Sequence, residues 1–269
     1  MTEYTIRELT AADVPALKSL WSRVFEDSAE YIEAFFALLP GLGVGIVAEA
    51  ESRVLGSAYL LLPGKISPGG ERCGLIYAVA VDKAQRKAGI GGELVRSLTE
   101  SARAMGCGHI TVLPAELSLY RWYEKAAGFH CCLYRQRLSF AAKPLLPVES
   151  IGFEEYSRRR ERLLSGTVHL EFTLAALRLE EQLCKAYGGG FYAFPGGIAA
   201  AYAENEKARL AELLCEGEQA EAAAASVAAF MGKEQAECLL ETDSDRGLPY
   251  IAALEKGLPE GFYWGPAFD

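Results

Sequence analysis

Hydrophobic residues follow two different periods in the first half of this chain. Runs that alternate, or that are apolar throughout, predict strands over 4–8, 45–49, 54–60, 74–81, 109–113 and 131–140. Runs with apolar residues three and four apart predict helices over 11–24, 28–39, 91–105 and 116–126. Prolines and glycines over 63–70 predict a loop. The second helix is expected to stop before Pro40, because proline lacks the N–H that a helix needs.

A similar order of elements follows after Pro144 and Pro147, which mark a linker. Helices are predicted over 153–164, 170–187, 219–231 and 249–256, and strands over 191–193, 198–203, 210–215, 237–241 and 262–268. The two halves share this order but hardly any residues, which indicates an internal structural repeat. A chain of 269 residues has room for two modest domains, which we place at 1–142 and 143–269.

Charge and composition narrow the possible partners. The formal net charge of −9 lies entirely in residues 143–269, since acidic and basic residues balance in the first half. An acidic surface repels phosphate backbones, so no nucleic acid is expected. The seven cysteines are irregularly spaced and form no CxxC pair, so no metal site is expected. The chain shows no signal peptide and no apolar run long enough for a membrane span, which favours a cytoplasmic protein.

The predicted strand over 74–81 leads into a glycine-rich loop and then a helix. The loop consists of Arg86, Lys87, Ala88, Gly89, Ile90, Gly91 and Gly92. Free N–H groups at a helix N-terminus attract anions, and glycines let a phosphate approach the main chain. The loop matches neither the P-loop pattern nor the GxGxxG pattern of dinucleotide-binding folds. Glycines so spaced are also typical of a turn that needs positive φ, so the loop alone does not decide the matter.

Two motifs together resemble those of the GNAT acyltransferase superfamily. The first is Arg86-Lys87-Ala88-Gly89-Ile90-Gly91, which fits the family's (Arg/Gln)-x-x-Gly-x-(Gly/Ala). The second is Tyr123-Glu124-Lys125-Ala126-Ala127-Gly128-Phe129, one residue longer than the family's usual form. The resemblance covers about residues 3–140. It implies an α+β fold with a mixed sheet: a GNAT domain, followed here by a second, smaller GNAT-like domain that lacks the pyrophosphate loop.

The resemblance also implies a reaction, the direct transfer of an acetyl group from acetyl-CoA to an amine without a metal. In that family the backbone of the strand before the loop pairs with pantetheine. The corresponding residues here are Val79, Ala80 and Val81. The main-chain amides of Lys87, Ala88, Gly89, Ile90, Gly91 and Gly92, beside Arg86, would hold the pyrophosphate. Tyr123 corresponds to the general acid that protonates the departing thiolate.

Several assignments remain open at this stage. The extra residue after Tyr123 makes Tyr120, one helical turn earlier, an alternative acid. Glu116 stands where the family often has an asparagine that contacts the cofactor. Candidates for the general base lie where the first two helices meet, although capping and solvation explain them as well. These candidates are Glu26, Asp27 and Glu30.

Other polar residues are expected to be structural. His109 and His130 are expected to have neither a partner carboxylate nor a metal-ligand spacing, and His169 lies near a helix cap. The basic run over 158–162 is expected to form a solvated helix face with local salt bridges. In the second half, Glu216-Gly217-Glu218-Gln219 occupies the place of the glycine loop, and its carboxylates disfavour a second CoA site.

Three functions therefore remain possible for the whole chain. The leading one is an N-acetyltransferase that acts on a small-molecule or protein amine. The alternatives are a non-catalytic acyl-CoA sensor and a pure interaction module. The second half would cover the acceptor side or form a homodimer surface, or it is an unrelated α+β lid.

Overall fold

The computed structural model describes residues 3–242, 247–254, 257–266 and 268. The chain divides into two compact units, and both draw on more than one stretch of sequence. The first unit comprises Met1–Lys65, Gly70–Cys132 and Ile251–Leu258. The second comprises Ile66–Gly69, Leu133–Tyr250 and Pro259–Asp269.

The first unit packs four helices on a mixed sheet. Its strands are β1 (Thr5–Glu8), β2 (Gly43–Ala50), β3 (Arg53–Ser67), β4 (Arg72–Val81) and β5 (Cys107–Val112), joined by residues 251–253 of β13 (Leu248–Ala253). Its helices are α1 (Val14–Phe25), α2 (Ala29–Leu42), α3 (Ile90–Ala104) and α4 (Leu117–Ala127). The strand order is β1-β2-β3-β4-β5-β13, and only β4 and β5 run parallel.

Helix α3 supplies much of the apolar core of this unit. Leu94, Val95, Leu98 and Ala102 recur at helical spacing on one face and are fully buried. Burying a leucine side chain of this kind contributes about 2 kcal/mol to stability. The packing of that face fixes the position of the helix, and with it the position of the glycine loop at its N-terminus.

The second unit also combines parallel and antiparallel strands. Its elements in chain order are residues 133–141 of β6 (His130–Ala141), then β7 (Glu149–Ile151), α5 (Phe153–Leu163), β8 (His169–Phe172), α6 (Leu174–Ala186), β9 (Gly190–Phe194), β10 (Gly197–Glu204), β11 (Lys207–Cys215), α7 (Ala220–Phe230) and β12 (Gln235–Thr242). The strand order is β7-β9-β10-β11-β12-β6, and only β11 and β12 run parallel.

The order from β7 to β12 is the order from β1 to β5, apart from the added strand β8. Each series has one strand, two helices, three antiparallel strands, a helix and a strand parallel to the one before it. The identity of the second unit as a GNAT-like repeat stays a prediction, which this shared order supports.

Two predictions that rested on prolines and glycines are wrong. Helix α2 continues through Pro40 to Leu42. Pro40 removes one hydrogen bond near the helix end, while the buried side chains of Leu39 and Leu42 keep the last turn packed. The predicted loop over 63–70 begins late, because β3 continues to Ser67. A register shift between Leu61 and Gly64 places Pro63 at an irregularity, where a strand tolerates proline.

Three predictions in the second half are also wrong. The predicted helix 170–187 begins only at Leu174, after strand β8, and Thr173 caps it by accepting a hydrogen bond from the Ala176 N–H at 3.1 Å. The predicted helix 249–256 is strand β13 as far as Ala253, and residues 255–256 lie outside the described part of the chain. In the predicted strand 262–268, the residues that the structure describes, 262–266 and 268, contribute only an isolated bridge, at Tyr263.

Two general expectations can be compared with the described residues. None of the helices there is both long enough and apolar enough to cross a membrane. Within the same residues, no group of three or more His, Cys, Asp or Glu side chains is placed to hold a metal ion.

Candidate functional site

Strands β4 and β5, both described over their whole length, stop pairing before β4 ends. Their parallel register runs from Arg72 opposite Cys107 to Ile76 opposite Val112. On its other edge β4 pairs with β3 as far as Val81. The main-chain groups of β4 beyond Ile76 are therefore available on the β5 side for an extended ligand.

A bulge lies at the point where the two strands part. Ala78 has a φ of 46°, which is unusual for a residue with a side chain. Here β4 uses one residue more than β3, because Tyr77 faces Tyr59 and Ala80 faces Ser57. A bulge bends its strand and redirects the main chain, and bulges occur often beside active sites.

The glycine loop follows directly and ends in the N-terminus of α3. Lys87 and Gly89 both have left-handed backbones, with φ of 71° and 87°, and Gly89 is the N-cap. The first bond of the helix joins the Glu93 N–H to the Gly89 carbonyl at 3.1 Å. The N–H groups of Ile90 to Gly92 lie in the first turn, where no carbonyl of the helix can accept them. They form a cradle for an anion, which the helix dipole also favours.

The loop and the open end of β4 border one cavity of about 700 Å³ in the first unit. It is lined by Val24, Phe25, Val79, Val81, Gln85, Arg86, Lys87, Gly89, Ile90, Gly91, Gly92, Ala115, Glu116, Leu119, Trp122 and Tyr123. This volume suits a long, narrow cofactor or a drug-sized ligand. The cavity thus combines a strand edge, an anion cradle and a phenol.

Tyr123 lies on α4 in a largely apolar setting. Only 7% of it is exposed, and its ring packs edge-on against Trp122 and Phe129, with centroids 4.7 and 5.9 Å away. Burial raises the pKa of the Tyr123 phenol well above its ordinary value, because a phenolate would be poorly solvated here. The phenol therefore stays protonated at neutral pH. Tyr120, the alternative acid, is absent from the cavity lining.

The three acidic residues weighed as general base do not line the cavity. Asp27 accepts a hydrogen bond from the Trp21 indole N–H at 2.8 Å, and Glu26 caps the end of α1. Glu116 is the one carboxylate in the lining, one residue before α4.

Some lining residues were not predicted from the sequence. Phe25 and Gln85 reach the cavity from the end of α1 and from the turn after β4. Trp122 covers the first turn of α3, since a Cβ added at Gly91 would lie 3.2 Å from its ring. Its place directly before Tyr123 in the sequence could have identified Trp122, whereas Phe25 and Gln85 depend on long-range packing.

Two expectations about polar residues outside the cavity are corrected. His109 does have a partner carboxylate, because its Nε2 lies 2.6 Å from Glu71 and its Nδ1 lies 2.8 Å from the Gly257 carbonyl. His130 lies 3.9 Å from Glu124.

The basic run over 158–162 is not uniformly solvated. Arg160 is fully buried in the second unit, where it pairs with Glu212 at 3.1 Å and donates to the Leu170 carbonyl at 2.7 Å. Helical periodicity turns this one arginine inward while its neighbours face solvent, and a buried charge needs such partners.

Sequence comparisons agree with this geometry. The family model for the acetyltransferase (GNAT) family matches residues 7–129. Over 135 residues the chain is 36% identical to a probable glucosamine 6-phosphate N-acetyltransferase of Oryza sativa subsp. japonica, covering 46% of this chain and 80% of that protein. Over 86 residues it is 38% identical to a glucosamine 6-phosphate N-acetyltransferase of Trypanosoma brucei brucei, covering 32% of this chain and only 57% of that enzyme.

Solved structures show that the fold is shared over nearly the whole chain. A probable N-acyltransferase of unknown function from Enterococcus faecalis V583 superposes with a TM-score of 0.71 at 11% identity, covering 94% of this chain and 72% of that one. An acetyltransferase from Pyrococcus horikoshii, itself described as putative, superposes with a TM-score of 0.65 at 17% identity, covering 100% and 96%.

The fold is one that this chain shares with proteins described as acyltransferases. The chain belongs to the acetyltransferase (GNAT) family. The predicted resemblance, the mixed α/β fold and the class of enzyme are confirmed.

Proposed function

We propose that this protein transfers the acetyl group of acetyl-CoA directly to the amino group of an acceptor. The observation that carries the proposal is the single cavity in which the free edge of β4, the amide cradle of α3 and the Tyr123 phenol meet. The pantetheine arm of coenzyme A is an extended chain with amides, so it fits the strand edge, and the pyrophosphate of coenzyme A fits the cradle. Family membership supports the same reaction.

In the proposed reaction, the main chain and the phenol have different tasks. The backbone of Val79, Ala80 and Val81 pairs with the pantetheine chain and stabilises the negative charge that develops on the thioester oxygen. The amides of Lys87 to Gly92, with Arg86 beside them, hold the pyrophosphate. The acceptor nitrogen attacks the carbonyl carbon, the C–S bond breaks, and Tyr123 donates its proton to the departing sulfur. The acceptor attacks as the free amine, the proton that its nitrogen gives up as the amide forms passes to solvent, and solvent returns a proton to Tyr123.

The acceptor is proposed here only as an amine, of a small molecule or of a protein. Two relatives carry the name glucosamine 6-phosphate N-acetyltransferase, and both match only part of this chain. Amino sugars and their phosphates are therefore the first acceptors to test, followed by small polyamines and peptide N-termini.

Binding and transfer should be measured separately. Titration of the full chain with acetyl-CoA should release heat and quench tryptophan emission, because Trp122 is 37% exposed beside the loop while Trp21 and Trp264 are buried. Acetyl-CoA with an accepted amine should then release free thiol. No heat and no quenching would contradict the proposal. Tight binding without thiol release from any amine would favour the non-catalytic sensor instead.

A further inference from the structure

A second cavity, which we call the basic pocket, adjoins the coenzyme cavity in the first unit. It measures about 490 Å³. It is lined by Leu20, Arg23, Val24, Asp82, Lys83, Ala84 and Arg86. Val24 and Arg86 line both cavities, so a ligand group in one lies next to a ligand group in the other.

The charges of the basic pocket do not balance. Arg23, Lys83 and Arg86 supply three cations, and Asp82 supplies the one carboxylate of the lining. That carboxylate already has two tasks, since it accepts from the Ala84 N–H at 3.0 Å and lies 3.5 Å from the Arg23 guanidinium.

Two of the cations lack an anionic partner within the protein. Among the residues that the structure describes, no carboxylate forms an ion pair with Lys83 or with Arg86. The whole chain is acidic, and its first half is neutral. A local excess of positive charge beside the cleft therefore indicates a site for an anionic group.

The chemistry of the pocket fits a phosphate monoester. Arginine offers a planar fork of donors that matches phosphate oxygens, and lysine adds a compact point charge. Leu20 and Val24 supply an apolar wall, against which the carbon skeleton that carries the phosphate can pack. The position beside the coenzyme cavity means that this phosphate belongs to one of the two reactants.

We propose that the basic pocket binds a phosphate monoester, with Arg23 and Lys83 as specificity-determining residues. The phosphate is either the one on a phosphorylated amine acceptor or the 3′-phosphate of coenzyme A. This proposal rests on the proposed acetyl transfer, and it adds that the pocket recognises a phosphate group on one of the two reactants.

The test uses the full chain with the double substitution Arg23→Gln and Lys83→Gln, which removes charge and keeps comparable size. Arg86 is left unchanged, because it also borders the pyrophosphate loop. The matched control is Arg53→Gln, since Arg53 is exposed and lines neither cavity. A second variant, Arg23→Lys with Lys83→Arg, keeps both charges and should therefore retain more of the preference for the phosphorylated compound than the double Gln variant does.

Two comparisons distinguish the sources of the phosphate. The first measures by calorimetry the ratio of affinities for acetyl-CoA and 3′-dephospho-acetyl-CoA. The second measures the ratio of kcat/KM for glucosamine 6-phosphate and glucosamine. In the wild type at least one ratio should favour the phosphorylated compound by about tenfold, as expected for charge-assisted hydrogen bonds at a partly exposed site. The double Gln variant should bring that ratio close to one.

The outcomes are distinct. If the double Gln variant loses only the preference for acetyl-CoA over 3′-dephospho-acetyl-CoA, the pocket binds the coenzyme. If it loses only the preference for glucosamine 6-phosphate over glucosamine, the pocket binds the acceptor. A double Gln variant that keeps the wild-type ratio in both comparisons would overturn the proposal, as would an equal loss in the Arg53→Gln control. If the wild type binds no acetyl-CoA at all, the proposed acetyl transfer itself fails.

Discussion

The hydroxyl group of Tyr123 is the proton donor that the proposed reaction depends on. Trp122 and Phe129 pack against the Tyr123 ring, and the pKa of the phenol is raised because burial disfavours the phenolate. A raised pKa means that the protonated form persists as the pH rises. Ionisation of Tyr123 should therefore cause no loss of turnover up to about pH 10, the ordinary pKa of a tyrosine.

Replacing Tyr123 by phenylalanine removes the proton donor and keeps the ring. We expect kcat to fall about 100-fold, the lower range for loss of a general acid, while the Kd for acetyl-CoA stays within about twofold. Steady-state kinetics and calorimetry check the two parts. Tyr120→Phe is the matched control on the same helix and should keep wild-type turnover. If the two variants behave in the opposite way, Tyr120 is the acid.

Gly89 allows a test of the anion cradle that does not alter its charge. Its φ of 87° disfavours any side chain, although a Cβ would meet no atom within 4 Å. Gly89→Ala therefore strains the backbone by about 1 kcal/mol without a steric clash. The loop amides should shift, and the affinity for acetyl-CoA should fall about tenfold, a factor that corresponds to about 1.4 kcal/mol.

Gly106, at the other end of α3, provides the control for this experiment. It has a φ of 76° and equally open surroundings. Gly106→Ala should lower the melting temperature about as much as Gly89→Ala does, because the backbone strain is similar. It should leave the affinity for acetyl-CoA unchanged. Equal affinities in the two alanine variants would mean that the glycine loop is merely a turn.

At the scale of the element, β4 shows what a hydrophobic run can and cannot predict. The apolar run over 74–81 correctly predicts a buried strand, which extends from Arg72 to Val81. The bulge at Ala78 and the end of pairing at Ile76 have no counterpart in the pattern. Both depend on the neighbouring strands, which part at that point, and this separation creates the cleft.

Strand β13 shows the opposite case, in which the local pattern misleads. Short apolar runs such as the one over 249–254 suit a helix or a strand equally well. Here Ala252 and Ala253 pair with Val112 and Thr111 of β5, so hydrogen bonding to a strand far away in sequence decides the conformation. The start of α6 is a different case. The sequence prediction began this helix at residue 170, although the N-cap threonine Thr173 can be recognised from the sequence itself.

The importance of this late segment to the first unit can be measured with a pair of leucines. Leu254 is 7% exposed in the core cluster that includes Tyr123, and its N–H donates to the Ile110 carbonyl at 3.1 Å. Leu254→Ala should lower the free energy of unfolding by about 2–4 kcal/mol. Leu248, in β13 itself, is 46% exposed, so Leu248→Ala should change it by less than about 0.5 kcal/mol.

Urea unfolding measures the change in the free energy of unfolding for each variant, provided that the m-value stays the same. Acetyl-CoA identifies the transition of the first unit, since ligand binding stabilises only the unit that it occupies. Equal midpoints for the two alanine variants would show that Leu254 contributes little to the first unit.

At the scale of the whole molecule, chain order and compact units do not coincide. Residues 133–141 of β6 belong to the second unit, although β6 follows α4, the helix that carries Tyr123. Residues 251–258 belong to the first unit, although they follow β12. Each unit thus obtains the strand next to its parallel pair from the other half of the sequence. The boundary at residue 142 stays a prediction about the sequence, and a chain cut there would lose Leu254 from the first core.

The sequence by itself determined the type and order of the elements in the first half, though not the ends of α2 and β3, together with the glycine loop before α3 and the tyrosine of α4. These depend on local periodicity and on motifs within a few residues. Only the tertiary structure decided where β4 separates from β5, which carboxylate lines the cavity, that Arg23 and Lys83 meet beside it, and which late strand completes the first sheet. Each of these depends on contacts between residues far apart in the chain. Such contacts do not produce a hydrophobic period, so the sequence pattern does not predict them.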